Sequence, residues 1–185
     1  MLYIICAKSC SGKDTIAKKL AKNGYERLVS YTTRPPRKNE RHGIDYYFTT
    51  EDKVKKAICL REYTVADGSV WRYWLDKNEV AHAILSSKTY ICITDVKGAA
   101  ELIRLGAKVI YVTCPFETRF RRYYERECRN SHPDFSEMVR RLVVDENDFK
   151  ELEQAASLGR VMSVENKDGN LDNVIDEIIN NCFGR

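Results

Sequence analysis

Apolar and polar residues follow each other along the chain in two patterns that predict strands and helices. Continuous apolar runs predict buried strands, and apolar residues spaced by three or four predict amphipathic helices. The predicted strands are residues 2–6, 27–29, 90–93, 108–112 and 161–164. The predicted helices are residues 14–22, 77–85, 97–105, 115–128, 134–156 and 171–182. This order of elements predicts an α/β fold with a parallel sheet flanked by helices.

Residues 30–76 interrupt this pattern. The first part, residues 30–48, has no helix signal and is too polar for a core strand, and Pro35-Pro36 stiffens its backbone. The remainder predicts a small α+β insertion. Its predicted elements are a short helix capped by residues 50–52 and ending at Ala57, and strands at residues 61–66 and 70–75 joined by an Asp67-Gly68 turn.

Composition limits the class of protein. The 185 residues are 43% apolar and 31% charged, which is typical of one globular folding unit with a small inserted subdomain. No apolar run approaches the roughly 18 residues of a membrane span, and no basic leader precedes the first strand. We therefore expect a cytoplasmic protein that is a monomer or a homodimer and does not act at a membrane.

The first chemical signal lies between the strand at residues 2–6 and the helix that follows it. Residues 7–15 read AKSCSGKDT, a turn of small residues that ends in Gly12-Lys13. Free N–H groups at a helix start and a lysine ammonium together stabilise phosphate groups. The strict phosphate-loop motif is G-x-x-x-x-G-K-[ST]; here Ala7 replaces its first glycine and Asp14 its hydroxyl residue. We still predict a polyphosphate site.

Two clusters of basic residues accompany the loop. They fit either solvated helix faces and a nucleic-acid patch, or guanidinium groups that hold a substrate phosphate and a transferring phosphoryl group. The presence of the loop favours the second interpretation, without a nucleic-acid partner. The clusters are Arg34, Arg37, Lys38 and Arg41, and Arg119, Arg121, Arg122, Arg126, Arg129, Arg140 and Arg141.

Asp95 follows the predicted strand at residues 90–93. Ligands of α/β proteins bind outside the carboxyl ends of the strands, so an acidic side chain at this position could hold magnesium-bound water or the substrate base. A helix N-cap is an equally good interpretation of the same residue and is compatible with the first.

Residues 30–48 carry a specific family resemblance. They fit every fixed position of the pattern S-x-T-T-R-x-P-R-x-x-E-x-x-G-x-D-Y-x-F, and the segment resembles the substrate-phosphate segment of guanylate kinases, nucleoside monophosphate kinases with a phosphate loop. The resemblance implies one domain: a P-loop kinase core at residues 1–29, 77–114 and 157–185, a small α+β lobe for the nucleoside monophosphate at 30–76, and a helical lid at 115–156.

The resemblance also implies roles for individual residues. Glu62 would accept hydrogen bonds from guanine N1–H and N2–H, and Arg141 together with Arg129, or alternatively Arg126, would reach the transferring phosphoryl group. The implied monophosphate-binding residues are Ser30, Arg34, Arg37, Tyr46, Glu62, Tyr73 and Asp95. The implied ATP-binding residues are Ser9, Cys10, Ser11, Gly12, Lys13, Asp14, Thr15 and Asn166. The implied catalytic residues are Lys13, Arg37, Arg129 and Arg141.

Together these features predict an enzyme of purine nucleotide metabolism. It would transfer the γ-phosphoryl of ATP, with Mg²⁺ held through Asp14 or Asp95, to GMP or dGMP. Trp74 and Leu75 depart from the family pattern at the base, so one alternative is a P-loop kinase for another (deoxy)nucleoside monophosphate or a small phosphate. The other is a non-catalytic guanylate-kinase-like domain that binds phosphopeptides; retention of Gly12-Lys13 and of the basic lid argues against it.

Overall fold

The structure is a computed structural model that describes residues 1–37, 40–50, 57–64 and 68–184. The contacts divide the chain into two compact units. The first unit contains Met1–Ile4 and Ala21–Lys108, and the second contains Ile5–Leu20 and the chain from Val109 onward. The first strand, β1 (Leu2–Cys6), contributes to both units.

The first unit holds one end of the parallel sheet and a smaller mixed sheet. Its strands are β2 (Glu26–Arg27), β3 (Tyr31–Thr32), β4 (Tyr47–Phe48), β5 (Ala57–Thr64), β6 (Val70–Asp76) and β7 (Tyr90–Thr94). Its helices are α2 (Lys77–Leu85) and α3 (Val96–Arg104). The parallel strands lie in the order β2-β7-β1, and the mixed sheet has the order β4-β3-β6-β5. Strands β5 and β6 form an antiparallel hairpin.

The second unit contains the remaining helices and the other end of the parallel sheet. Its strands β8 (Lys108–Thr113) and β9 (Met162–Glu165) are parallel, in the order β1-β8-β9. Its helices are α1 (Lys13–Lys22), α4 (Phe116–Cys128), α5 (Phe135–Asp148), α6 (Lys150–Ser157) and α7 (Leu171–Ile178), followed by a π-helical turn at Ile179–Phe183.

Buried apolar strands explain why β1 and β8 form the core. All five side chains of β1 are buried, as are Ile110, Tyr111 and Val112 of β8. Continuous apolar runs of this kind are expected for parallel strands covered on both faces. The predicted α/β class with a flanked parallel sheet is therefore confirmed.

Some predicted boundaries differ from the structure. The single helix predicted for residues 134–156 is two helices, since α5 ends at Asp148 and α6 begins at Lys150. The strand predicted at residues 27–29 is β2, one residue earlier and shorter. The short helix predicted after residues 50–52 lies outside the described residues except for its predicted end, Ala57, which is instead the first residue of β5. The Asp67 side of the predicted turn also lies outside them. Among the helices of the described ranges, none combines the length and apolar character needed to cross a membrane.

Candidate active site: a phosphate loop and an arginine clamp

The loop between β1 and α1 has the conformation that its small residues predict. Cys10 has φ of 62° and Gly12 has φ of 89°, both in the left-handed region. A Cβ atom at Gly12 would overlap the side-chain amide of Asn166. That amide donates a hydrogen bond to the carbonyl oxygen of Ser11 at 2.7 Å, and Asn166 is buried. Asn166, predicted to lie near ATP, therefore supports the loop itself.

Lys13 and Asp14 begin α1 directly after the loop. Neither side chain makes a hydrogen bond or ion pair with any residue that the structure describes. Asp14 and Thr15 are exposed, while Ile16 and Leu20 anchor the helix in the core. An uncommitted ammonium and carboxylate therefore stand beside free N–H groups at a helix start, an arrangement suited to polyphosphate.

Ion pairs of two buried cations hold the loop in place. Lys8 forms ion pairs with Glu146 at 2.8 Å and Glu153 at 2.7 Å, and Glu146 also pairs with Arg119. Lys8 and Arg119 have side-chain exposures of only 7% and 2%, so Arg119 does not lie on a solvated helix face, and its guanidinium binds Glu146. Burial acts to raise the pKa of Glu146, but its hydrogen bonds to Lys8 and Arg119 outweigh burial and hold that pKa below its ordinary value.

One acidic contact on the loop had no signal in the sequence. The backbone N–H of Ser9 donates to the Asp145 carboxylate at 2.5 Å. Asp145 lies on α5, far along the chain from the loop, and nothing in its own sequence context marks it as a ligand of the loop. Arg122 also reaches the loop, where it donates to the carbonyl oxygen of Cys10 at 3.4 Å while its guanidinium pairs with Asp168.

The predicted lid arginines differ in where they lie. The Arg126 guanidinium stacks over the ring of Tyr123 at 4.1 Å. Burial raises the pKa of Tyr123, whereas the charges of Arg141 and Arg126 act to lower it. Arg141 Nε donates to Glu137 at 2.6 Å. Burial likewise raises the pKa of Cys10 in the loop, against the charges of Arg126 and Lys13. Arg129, by contrast, has 80% side-chain exposure and only a 3.9 Å ion pair with Glu125.

The name arginine clamp stands here for six residues of the first unit. Five are predicted to bind the monophosphate, and the sixth, Glu40, was not predicted as a site residue: Ser30, Arg34, Arg37, Tyr46, Tyr73 and Glu40. Arg34 is buried, donates to the Tyr73 hydroxyl at 3.0 Å and binds both oxygens of Glu40 at 2.8 and 2.7 Å. The Arg34 guanidinium also lies over the ring of Tyr46 at 5.4 Å. Burial acts to lower the pKa of Arg34, but Glu40 and Tyr73 raise it above its ordinary value.

Arg37 is the open cation of the clamp. Its side-chain exposure is 58%, its Nη1 lies 3.8 Å from Glu40, and its backbone N–H donates to Glu40 at 2.9 Å. Glu40 is thus the residue that joins the two arginines, and its fixed place in the motif of residues 30–48 was the signal for it. Ser30 is buried, and its carbonyl oxygen accepts a hydrogen bond from the Tyr47 N–H.

The β5–β6 register separates Glu62 from the clamp. Arg61 lies directly across from Tyr73, and Glu62 lies across from Arg72. Because consecutive strand residues point to opposite faces, Arg61 shares the face of Tyr73 while Glu62 lies on the other. Glu62 pairs there with Arg72 at 2.7 Å. The structure therefore does not bring Glu62 together with the clamp, and its predicted base contact stays a prediction.

Asp95, and not Glu62, supplies the carboxylate on the clamp face of the hairpin, next to Arg61. It caps α3 by accepting from the Gly98 N–H at 3.1 Å, and its other oxygen lies 3.3 Å from Arg61 Nε. Trp74 and Leu75, which depart from the family pattern, are buried. Because alternate strand residues share a face, Leu75 lies on the face of Tyr73 and Trp74 on the opposite face.

The acidic residues fit a magnesium ion that is held mainly by phosphate and water. Within the described ranges no cluster of three or more metal-binding side chains occurs, and Mg²⁺ in kinases usually takes only one or two carboxylates besides substrate phosphates. Asp14 is exposed and uncommitted, whereas Asp95 already binds Arg61 and Gly98. Asp14 is therefore the better candidate of the two predicted residues.

Comparison with known proteins gives a consistent result. The family model described as guanylate kinase matches residues 1–161. Guanylate kinase of Chlamydia trachomatis serovar D is 31% identical over 146 residues, which cover 75% of this chain and 69% of that protein. Guanylate kinase of Fusobacterium nucleatum is 27% identical over 167 residues, with coverage of 87% and 86%.

A solved structure shares the fold. The crystal structure of guanylate kinase from Anaplasma phagocytophilum superposes with a TM-score of 0.67 at 18% identity, covering 97% of this chain and 82% of that chain. The family model spans most of the sequence, including the loop, the clamp and the first lid helix. This chain belongs to the guanylate kinase family.

Proposed function

We propose that this protein is an ATP-dependent kinase that transfers the γ-phosphoryl group of ATP to GMP or dGMP. The relatives that it matches are named guanylate kinases, and the arginine clamp suits a nucleotide phosphate. The observation that carries the proposal is Lys13, an uncommitted cation at the start of α1 beside a loop held by Asn166 and a buried ion-pair network.

The loop would bind the triphosphate. Its N–H groups and Lys13 would hold the β- and γ-phosphates, and Lys13 would follow the negative charge during transfer. Mg²⁺ supplies charge neutralisation on these phosphates when it is bound, and we assign Asp14 as the side chain that would contact its water shell. Phosphoryl transfer proceeds through a loose transition state, so positioning and positive charge are the main contributions of the protein.

The clamp would bind the acceptor. Arg37 would donate to the phosphate of the monophosphate, while Arg34, fixed by Glu40, would hold the Tyr73 hydroxyl in place. For the lid we propose Arg141 and Arg126 as the residues that reach the transferring group. Arg126 lies over Tyr123, whose hydrophobic cluster packs against Cys10 of the loop, and Arg141 directly precedes Leu142 of that cluster. Arg129, the other lid arginine predicted for this role, is largely exposed and is here the alternative to Arg126. The cytoplasmic location and the monomeric or homodimeric state stay predictions.

The direct test is ADP release from ATP and Mg²⁺ with each of GMP, dGMP, AMP, dTMP, CMP and UMP as acceptor. We expect GMP and dGMP to give the highest kcat/KM. Turnover on another acceptor alone would support the alternative kinase. GMP binding without turnover on any acceptor would support the non-catalytic binding domain instead.

Lys13→Ala tests the loop in the same assay. Loss of a cation that contacts the transition state should lower kcat by on the order of 10²-fold or more. Lys22→Ala is the matched control, because Lys22 ends the same helix on its exposed side. If kcat of Lys13→Ala stayed within about tenfold of the wild type, the loop would not be the catalytic site.

A further inference from the structure

A pair of opposite charges lies beside the arginine clamp and is not explained by phosphate binding. Arg61 Nε and Asp95 Oδ2 are 3.3 Å apart, with side-chain exposures of 39% and 23%. The register places Arg61 directly across from Tyr73, whose hydroxyl binds Arg34 of the clamp. Directly opposite residues on one face of an antiparallel pair have Cβ atoms about 5 Å apart. The pair is therefore an immediate neighbour of the clamp.

The fold holds this pair in place from both sides. Asp95 is fixed by its bond to the Gly98 N–H, and Arg61 lies over the ring of Tyr63 at 5.5 Å. A Cβ atom at Gly98 would overlap the Thr94 hydroxyl and would lie 3.1 Å from the carbonyl oxygen of Leu60. The glycine thus allows α3 to approach β5 closely enough for Asp95 to meet Arg61.

The chemistry of the pair matches one nucleobase. It offers a carboxylate acceptor next to a guanidinium donor, and guanine offers N1–H and N2–H donors next to the O6 and N7 acceptors. Adenine has an amino donor where guanine has O6, so the same guanidinium would meet a donor and lose its hydrogen bond. Of adenine and guanine, only guanine is complementary to both members of the pair.

We propose that Arg61 is a specificity-determining residue that donates to guanine O6 and N7, beside Asp95 as the acceptor for guanine N1–H and N2–H. This inference rests on the proposed function, because it requires GMP to be the acceptor. On binding, the base inserts at the Arg61–Asp95 pair, and each side chain exchanges part of that ion pair for hydrogen bonds to guanine. No covalent change is involved.

The protein contains a matched control for this inference. Arg72 pairs with Glu62 on the opposite face of the same hairpin, with exposures of 35% and 55%. Its guanidinium–carboxylate pair has the same chemistry as Arg61–Asp95 but lies across the sheet from Tyr73. Arg61→Gln and Arg72→Gln therefore make equal changes in charge on opposite faces, and thermal unfolding of both variants measures any loss of structure.

The experiment compares kcat/KM for GMP, AMP and the monophosphate of 2-aminopurine riboside, which lacks O6 and N1–H. We expect Arg61→Gln to lower kcat/KM for GMP about 30-fold, the loss of one good bidentate contact. The value for the 2-aminopurine nucleotide should fall by no more than about fivefold, because of the two acceptors that base keeps only N7. Arg61→Lys should recover only part of the loss, because an ammonium cannot form the two-donor fork. Arg72→Gln should change none of the three values by more than about threefold.

Separate outcomes overturn the inference and the proposed function. If the wild type does not phosphorylate GMP, both fail. If the wild type phosphorylates GMP but Arg61→Gln reduces activity equally on GMP and on the 2-aminopurine nucleotide, Arg61 acts on structure alone and only the inference fails. It also fails if Arg72→Gln, rather than Arg61→Gln, reduces discrimination between GMP and AMP, since the Glu62 face would then read the base.

Discussion

The phosphate loop and the arginine clamp solve the same physical problem in different ways. Each presents an open cation, Lys13 in the loop and Arg37 in the clamp, next to a buried ion pair. In the loop, the buried pairs of Lys8 and Glu146 make no contact with the Lys13 side chain. The loop therefore separates the structural charges from the one that would act on the substrate.

In the clamp, by contrast, the buried arginine and the open arginine share one carboxylate. Glu40 binds the buried Arg34 and also accepts from the backbone N–H of Arg37. A single carboxylate thus orients both arginines, so that the position of the open cation depends on the buried one. We therefore expect substitutions in the ion pairs of Lys8 and Glu146 to alter stability, and substitutions in the clamp to alter the binding of the acceptor.

The largest expected effect would identify the lid arginine that acts together with the loop. Arg126→Ala should lower kcat by on the order of 10²-fold, since Arg126 lies over Tyr123, whose cluster packs against Cys10 of the loop, and would stabilise the transferring phosphoryl group. Arg129→Ala is the matched control from the same helix end and should leave kcat within about threefold. Single-turnover kinetics at saturating ATP and GMP measure both, and the reverse ranking would assign the role to Arg129.

A somewhat smaller effect is expected in the clamp. Arg37→Gln should raise KM for GMP about 50-fold and leave KM for ATP nearly unchanged, because a charge-assisted hydrogen bond to phosphate contributes about 2 kcal/mol. Arg104→Gln removes a comparably exposed arginine of α3 as the control. Steady-state kinetics with each substrate varied separately test this. An equal rise of both KM values would contradict the assignment of Arg37 to the acceptor.

The smallest effect concerns the buried charges behind the loop. Glu146→Gln should lower the free energy of unfolding by about 2 kcal/mol, less than for a fully buried pair because Glu146 is partly exposed, while kcat changes little. Urea unfolding measures the loss, with the exposed Glu151→Gln of α6 as control. A large fall in kcat with unchanged stability would contradict the structural role of these ion pairs.

The same variant predicts a pH dependence of known sign. The folded pKa of Glu146 lies below its ordinary value, so its stabilisation is fully present above the ordinary carboxyl pKa of about 4.3. It is lost as the pH falls through the lowered folded pKa, because protonated Glu146 carries no charge for Lys8 and Arg119. The stability difference between wild type and Glu146→Gln should therefore shrink on acidification. A difference that grows at low pH would contradict this sign.

Features that depend on residues close together in the chain could be predicted from the sequence alone. The apolar run of β1, the small residues of the loop and the start of α1 are contiguous, so local geometry is enough to predict a phosphate site at Lys13. Arg34, Glu40 and Tyr46 lie within one short motif, which was sufficient to predict most of the clamp. The α/β class followed from the order of strands and helices for the same reason.

Contacts between residues far apart in the sequence could not be predicted, because they depend on how the helices and strands pack. Asp145 reaches Ser9, and Arg119 is buried by Glu146, through helix packing that no local pattern encodes. The hairpin register decided that Arg61, and not Glu62, shares the face of the clamp. A shift of one residue in register moves every side chain to the opposite face of a strand. The family pattern indicated Glu62, and no local signal fixed the pairing of β5 with β6 that places Arg61 on the clamp face.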